Sequence, residues 1–245
     1  KGKNTGYYRR TMKVPPAWKG KRVFLVVGAA DYETEFAIDG KSLGRHAGGY
    51  TPFEFEVTDF VKWGEEQVAE FKIWDPDLST AHKGHYLFGK QGYGNVRGIW
   101  QTVWLESMPQ KHIHALKITP DAEHGTVKIA SDSFGEWQTV TVYDGETEIL
   151  QARYQSEAIL SYDFELWSPE HPKLYGMILE NESGDRVKSY FGVRSFGTAP
   201  DKNGKMRLTL NGKPYFFNGV LDQGYWSDGM LTYPSDAAAY EELKM

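Results

Sequence analysis

The 245-residue chain carries 28 basic and 33 acidic side chains, a formal net charge of −5, and no cysteine. That balance argues against a nucleic-acid partner, whose docking surface is ordinarily basic. The missing cysteines exclude a disulfide framework, a thiol nucleophile and a cysteine-ligated metal, and no run approaches the roughly 18 apolar residues of a membrane span.

Glycine (26) and proline (11) are frequent and aromatics make up 15% of the chain, which together point to many short elements separated by turns. Val23-Phe24-Leu25-Val26-Val27 is a short, largely β-branched run, the pattern of a strand buried on both faces. Thr34 to Ile38 alternates and meets Asp39-Gly40, a two-residue hairpin signal. Phe53, Phe55 and Val57 alternate with Glu54 and Glu56; Ala69, Phe71 and Ile73 repeat the pattern, as do Val103 and Leu105. No window here holds the spacing of a long helix, so the first part reads as a sandwich or barrel.

A break falls at Ser107-Met108-Pro109-Gln110. Beyond it, Thr126–Ala130 reads as a strand, and Val140–Tyr143, Asp144-Gly145 and Thr147–Leu150 as a hairpin. Tyr175, Met177 and Leu179 alternate, and Ser183-Gly184-Asp185 turns the chain into Val187–Val193. Seven or so short strands in about 90 residues is the size of an immunoglobulin-like sandwich. The last stretch opens with a hairpin at Asn211-Gly212, continues into a strand-like Asn218–Leu221 and a polar-aromatic loop, and enters a helix capped by Ser235, with Ala239, Tyr240 and Leu243 as its apolar stripe. A strand, a loop and a helix in that order look like the opening of a βα repeat.

Chemical motifs are sparse. His82 and His85, and His112 and His114, are the close histidine pairs; neither has a carboxylate or cysteine set to complete a metal site, so they read as solvated loop or surface residues, and no metal or other cofactor is expected. The nucleophile-elbow and phosphate-loop patterns are absent. Asn181-Glu182-Ser183 fits a glycosylation sequon of little weight. Of the eight tryptophans, the first seven read as core or strand packing. Trp226 differs: it lies in a loop with Asp222, Gln223, Tyr225 and Asp228, where a βα barrel would build its active site.

Several motifs carry a family resemblance. Gly48-Gly49-Tyr50-Thr51-Pro52-Phe53 with Asp59 resembles a signature of the amino-terminal sugar-binding module of glycoside hydrolase family 2, and Gly98-Ile99-Trp100-Gln101-Thr102-Val103-Trp104-Leu105-Glu106 resembles that module's closing strand. Leu166-Trp167-Ser168-Pro169-Glu170 through Leu174-Tyr175 is similar to a signature of the family's immunoglobulin-like domain. Phe191-Gly192-Val193-Arg194 and Asn211-Gly212-Lys213-Pro214 are similar to the strands leading into its catalytic barrel. Two departures stand out: Arg97 replaces the usual serine before Gly98, and Gly219-Val220-Leu221-Asp222-Gln223 replaces the common G-V-N-x-H.

The resemblance implies an all-β fold: a jelly-roll sandwich over residues 1–108, an immunoglobulin-like sandwich over 109–197, and a linker hairpin with the truncated first βα unit of a TIM barrel over 198–245. It implies a β-glycoside or oligosaccharide as partner, with neither nucleic acid nor membrane, and a parent whose homo-oligomeric state and compartment stay open, an exported location being favoured. The family's retaining hydrolysis uses two glutamates on later barrel strands. Asn181-Glu182 is a false match to the first of them, because it falls in a sandwich hairpin. The chain, which starts at Lys1 and so reads as processed or trimmed, is therefore expected to be the non-catalytic front of a β-glycosidase. A stand-alone carbohydrate-binding protein and an adhesive β-sandwich are the alternatives. Lys90 and Gln91, just ahead of the closing strand, and Asp222, Gln223 and Trp226 are expected to contact the sugar.

Overall fold

The computed structural model describes residues 4–75, 97–227 and 231–245. Two compact units emerge: residues 1–107 together with 221–245, and residues 108–220.

In the first unit the strands are β1 (Thr5–Lys13), β2 (Arg22–Val27), β3 (Ala30–Asp31), β4 (Glu33–Ile38), β5 (Lys41–Ala47), β6 (Phe53–Glu56), β7 (Glu66–Trp74), β8 (Gly98–Ile99) and β9 (Val103–Met108). They form a four-stranded sheet, β1-β7-β4-β5, a three-stranded sheet, β6-β2-β9, and the short pair β3-β8. The alternating segments each turn one face inward: Phe36 and Ile38 from β4, Phe55 from β6, and Ala69, Phe71 and Ile73 from β7 share one core with Val23, Leu25 and Val27. Every residue from Val23 to Val27 is buried. As the central strand of the smaller sheet, β2 has one face on the core and the other covered, which is why its sequence does not alternate.

The β4–β5 hairpin turns at Asp39 (φ 48°) and Gly40 (φ 76°), the paired left-handed geometry that an Asp-Gly dipeptide adopts at low cost. The Asp39 carboxylate then gathers three donors. It accepts the Val68 amide at 2.9 Å, the Lys62 ammonium at 3.0 Å and the Gln67 side-chain amide at 3.2 Å. Those donors, the backbone amide first, hold its pKa down to about 2.

In the second unit the strands are β10 (Ala115–Asp121), β11 (Thr126–Asp132), β12 (Gln138–Asp144), β13 (Thr147–Tyr154), β14 (Glu157–Ser161), β15 (Tyr175–Asn181), β16 (Arg186–Phe191), β17 (Phe196–Pro200), β18 (Met206–Leu210) and β19 (Lys213–Pro214). Sheets β10-β11-β14 and β13-β12-β15-β16 enclose a core in which Val127, Ile129, Val140, Val142 and Leu179 are fully buried. An aromatic wedge of Phe164, Tyr175 and Phe191, with ring centroids 5.1–5.7 Å apart, closes one end of it. The Tyr175 hydroxyl accepts the Glu165 amide at 2.9 Å, so its polar tip is satisfied. The third sheet is β17-β18-β19.

Some expectations shift in detail. Asp144 belongs to β12 and pairs with Thr147, so the turn centres on Gly145 and Glu146, and a bulge follows Val142. Asn218–Leu221 has no strand partner, and Val220 and Leu221 are 94% and 86% exposed. A barrel strand needs neighbours on both sides, and the described residues offer none. The helix α1 (Asp236–Lys244) forms as expected, with the Ser235 hydroxyl accepting the Ala238 amide at 3.2 Å. It buries no residue, and Tyr240 and Leu243 stand exposed.

Two tests follow from these contacts. The folded pKa of Asp39 lies below its unfolded value, so its stabilisation is complete above about pH 4 and is lost as the pH falls toward 2. A carboxyl-resolved NMR titration should show a midpoint near 2 for Asp39; a midpoint near 4 would mean the clamp does not form in solution. A nine-residue helix with no buried face is marginal, so the amides of Asp236–Lys244 should exchange with solvent well before those of Val23–Val27. Equal protection of the two segments would contradict the exposed placement of α1.

Candidate functional site

The site is assembled from three stretches of the first unit: residues 48–53, residues 98–100, and the tail residues 222–227 with 232–233. The backbone of β8 lies close under β1. Gly98 has φ 86°, the left-handed region that favours glycine, and a Cβ there would meet the Tyr8 hydroxyl and displace that side chain. Just beyond, Trp100 turns half-buried toward the loop. Its indole Nε1 donates to the Gly49 carbonyl at 2.7 Å, and its ring meets Tyr50 edge-on at 6.3 Å. Gly49 in turn packs so close to buried Asp31 that a Cβ would sit 3.0 Å from the carboxylate. Tyr50 is half-exposed, and burial raises its pKa, with smaller contributions from Asp31 and Tyr225.

The tail joins this frame through Thr232, whose hydroxyl donates to the Trp100 carbonyl at 2.8 Å. Trp226 is half-buried and packs edge-on against Tyr233 at 5.0 Å. Asp222 and Gln223 are exposed. One oxygen of Asp222 accepts the Gly224 amide at 2.6 Å, which fixes the turn and leaves the second oxygen for solvent or ligand. The tail forms one compact unit with the first sandwich.

Of the expected site residues, Asp222, Gln223 and Trp226 lie in this tail, while Lys90 and Gln91 lie outside the described residues. Tyr50 and Trp100 were missed. Trp100 had been assigned to packing, yet a half-buried indole must find an acceptor, and the adjoining glycine-rich loop supplies one. Other tryptophans also depart from a core role: Trp74, Trp104 and Trp137 are 42–43% exposed. The Arg153 guanidinium covers the Trp137 ring at 5.1 Å.

Arg97, the departure from the family pattern, has a structural reason. Its Nε lies 2.7 Å from the carboxylate of Asp75, which is 1% exposed, and its Nη1 donates to Asn4 at 2.8 Å. A carboxylate that deep needs a paired charge.

The histidine reading needs one correction. His112 is buried rather than solvated: its Nδ1 lies 3.2 Å from the Pro109 carbonyl, and its ring packs on Phe134. His114 also packs on Phe134 and sits 3.4 Å from Asp132. Phe134 thus gathers both rings into an aromatic cluster. His82 and His85 lie outside the described residues, among which no group of three or more metal-ligating side chains occurs. Asn181 is buried, donating to the Lys111 carbonyl and to Ser133, so its amide is occupied and closed to a glycosylating enzyme. Glu182 is ion-paired with Arg153 at 2.6 Å.

Two successive β-sandwiches, the first joined by an aromatic tail, define a modular β-protein whose exposed polar and ring groups converge on one loop region. Residues 1–109 match the sugar binding domain of glycosyl hydrolases family 2, and residues 111–194 match the family's next domain. The chain belongs to glycoside hydrolase family 2. It is 41% identical over 251 residues to a β-glucuronidase of Bacteroides fragilis, an alignment covering 88% of this chain and 34% of that protein. It is 27% identical over 236 residues to a β-galactosidase of Thermoanaerobacter pseudethanolicus, covering 87% of this chain and 31% of that one. Among solved structures, a Faecalibacterium prausnitzii β-glucuronidase superposes with a TM-score of 0.81 at 22% identity, over 98% of this chain and 44% of that one. The chain thus spans about a third of the length of the curated relatives it matches.

The site makes a kinetic test possible in a full-length enzyme carrying this chain. Losing one hydrogen bond to a sugar hydroxyl costs about 0.5–1.5 kcal/mol when neutral and about 1.5–3 when charged. Asp222→Ala should therefore lower kcat/KM about tenfold or more with the thermal transition unchanged. Unaltered kinetics in both Asp222→Ala and Gln91→Ala would show that the pocket lies elsewhere.

Proposed function

We propose that this chain is the non-catalytic amino-terminal portion of a retaining β-glycosidase that removes terminal β-linked sugars, and that its first unit contributes to the sugar-binding surface. The tandem match to the two family 2 domains, in family order, carries this reading. The glycosidases it resembles are about three times as long as the matched segment, which leaves room for a catalytic domain. The 41% identical relative is a β-glucuronidase, which favours a uronide among the β-glycosides.

In this reading the modules are residues 1–108, 109–197 and 198–245, the last leading into a barrel. Two carboxyl groups of that barrel, about 5–5.5 Å apart, carry the chemistry. One protonates the leaving oxygen and later activates water; the other attacks the anomeric carbon. The present residues would orient the sugar: Tyr50 and Trp226 by ring contact, Asp222 and Gln223, with Lys90 and Gln91, by hydrogen bonds to hydroxyls. The partner is a carbohydrate, and no described helix is long and apolar enough to cross a membrane.

The purified 245-residue chain should not hydrolyse aryl β-glucuronides or β-galactosides above a mock-purified control, while a polypeptide extended through the barrel should. Turnover by the 245-residue chain itself would overturn the assignment.

A further inference from the structure

β5 runs into β6 through residues 48–52, the loop that carries Tyr50. Two rings close its neck: His46 near the end of β5 and Phe53 at the start of β6, stacked with centroids 4.0 Å apart and planes 11° from parallel. The loop is held at two further points. The Gly48 amide donates to the Tyr32 carbonyl at 3.2 Å, and the Gly49 carbonyl accepts the Trp100 indole at 2.7 Å. Gly48 has φ 140°, and a Cβ there would sit 3.2 Å from Nε2 of His46, so the loop backbone folds directly over the imidazole.

His46 is half-buried, but its Nε2 is shielded from solvent and has no hydrogen-bond partner among the described residues. The described groups that face it are uncharged. Thr34 stands directly opposite on β4 and Ile73 beyond it on β7, both buried. Phe53 covers one face of the ring, and Thr51 lies beside Gly48. The charged neighbours are turned elsewhere. Glu33 and Glu35 alternate to the other face of β4, where they meet Arg45 and Lys72. Glu54 alternates away from Phe53 on β6, and the Asp31 carboxylate lies under Gly49.

These surroundings suit a neutral imidazole and not an imidazolium. The neutral ring can keep its one proton on Nδ1, whereas the protonated ring carries an N–H at both nitrogens. The Nε2 donor would then point, charged, into a shielded space without an acceptor. The face of Phe53 attracts a cation but cannot supply the in-plane acceptor that this N–H needs. Burial accordingly holds the His46 pKa below its ordinary 6.5.

We propose that His46 is a proton-sensitive latch on the Tyr50 loop. Neutral, it stacks on Phe53 and seats the backbone of Gly48 and Gly49; protonated, it leaves the neck for water, and the loop lifts from Trp100. In the open loop the ring is solvated and titrates near 6.5, so acidification below that value favours opening, and the effect levels off below the closed-loop pKa. Any consequence for sugar contact by Tyr50 rests on the function proposed above, whereas the latch itself does not.

The test is hydrogen exchange on the whole 245-residue chain without sugar, corrected for the intrinsic pH dependence of exchange. Between about pH 7.5 and about pH 5.5, protection of the Trp100 indole N–H and the Gly48 amide should fall about twofold or more, while that of Val23–Val27 stays constant. The His46 ring signals should titrate below 6.5. His46→Phe keeps the stack and takes no proton; His46→Gln takes no proton and gives up the stack. Loop protection should be independent of pH in both, at the wild-type level in the first and lower in the second. Constant loop protection in the wild type, a loss shared by Val23–Val27, or the wild-type pH dependence in either folded variant would overturn the proposal.

Discussion

The candidate site depends on one residue, Trp100, which is bonded at both its side chain and its backbone. The indole holds the Gly49 carbonyl at 2.7 Å, and the Trp100 carbonyl takes the Thr232 hydroxyl at 2.8 Å. A glycine-rich loop and an otherwise weakly held tail are thereby fixed to the same residue, just beyond β8. An indole N–H left without an acceptor when half-buried would cost about as much as a lost hydrogen bond, so the loop position follows from the ring position. Tyr50, Trp226 and Tyr233 then fall in the region that this anchor defines.

In the first sandwich, buried Asp75 is neutralised by Arg97, while exposed Asp39 is held by a backbone amide, an ammonium and a side-chain amide. Breaking the buried pair costs more than forming it contributes, since the remaining charge stays out of water. The second unit uses neutral polar groups for the same purpose: the Ser131 hydroxyl donates to Gln138 at 2.7 Å and lies 2.7 Å from the Tyr154 hydroxyl. This network ties β11, β12 and β13 across the core.

Much of the fold was legible because its signals are local. An uninterrupted β-branched run marked the doubly covered strand at Val23–Val27, Asp39-Gly40 and Asn211-Gly212 marked turns whose first two residues adopt positive φ, and Ser235 marked a helix start. Family motifs carried the order of the two sandwiches. What could not be read depends on distant partners. The Asn218–Leu221 run has strand-like composition but no neighbour to pair with among the described residues. His112 is buried by Phe134, twenty-two positions away, and Trp100 acquires its role through Gly49 and Thr232, far from it in sequence. Asp222, Gln223 and Trp226 were legible as an unusual polar-aromatic loop, whereas the sandwich on which that loop rests was not.

The central claim is that the Trp100 anchor presents the sugar-facing loops. Trp100→Phe keeps one aromatic ring and removes the pyrrole half of the indole together with its donor to Gly49. In the full-length enzyme this change should lower kcat/KM for an aryl β-glycoside by about two- to tenfold, the equivalent of one neutral hydrogen bond, while the thermal transition of the first sandwich stays in place. A wild-type kcat/KM in a folded Trp100→Phe enzyme would contradict it.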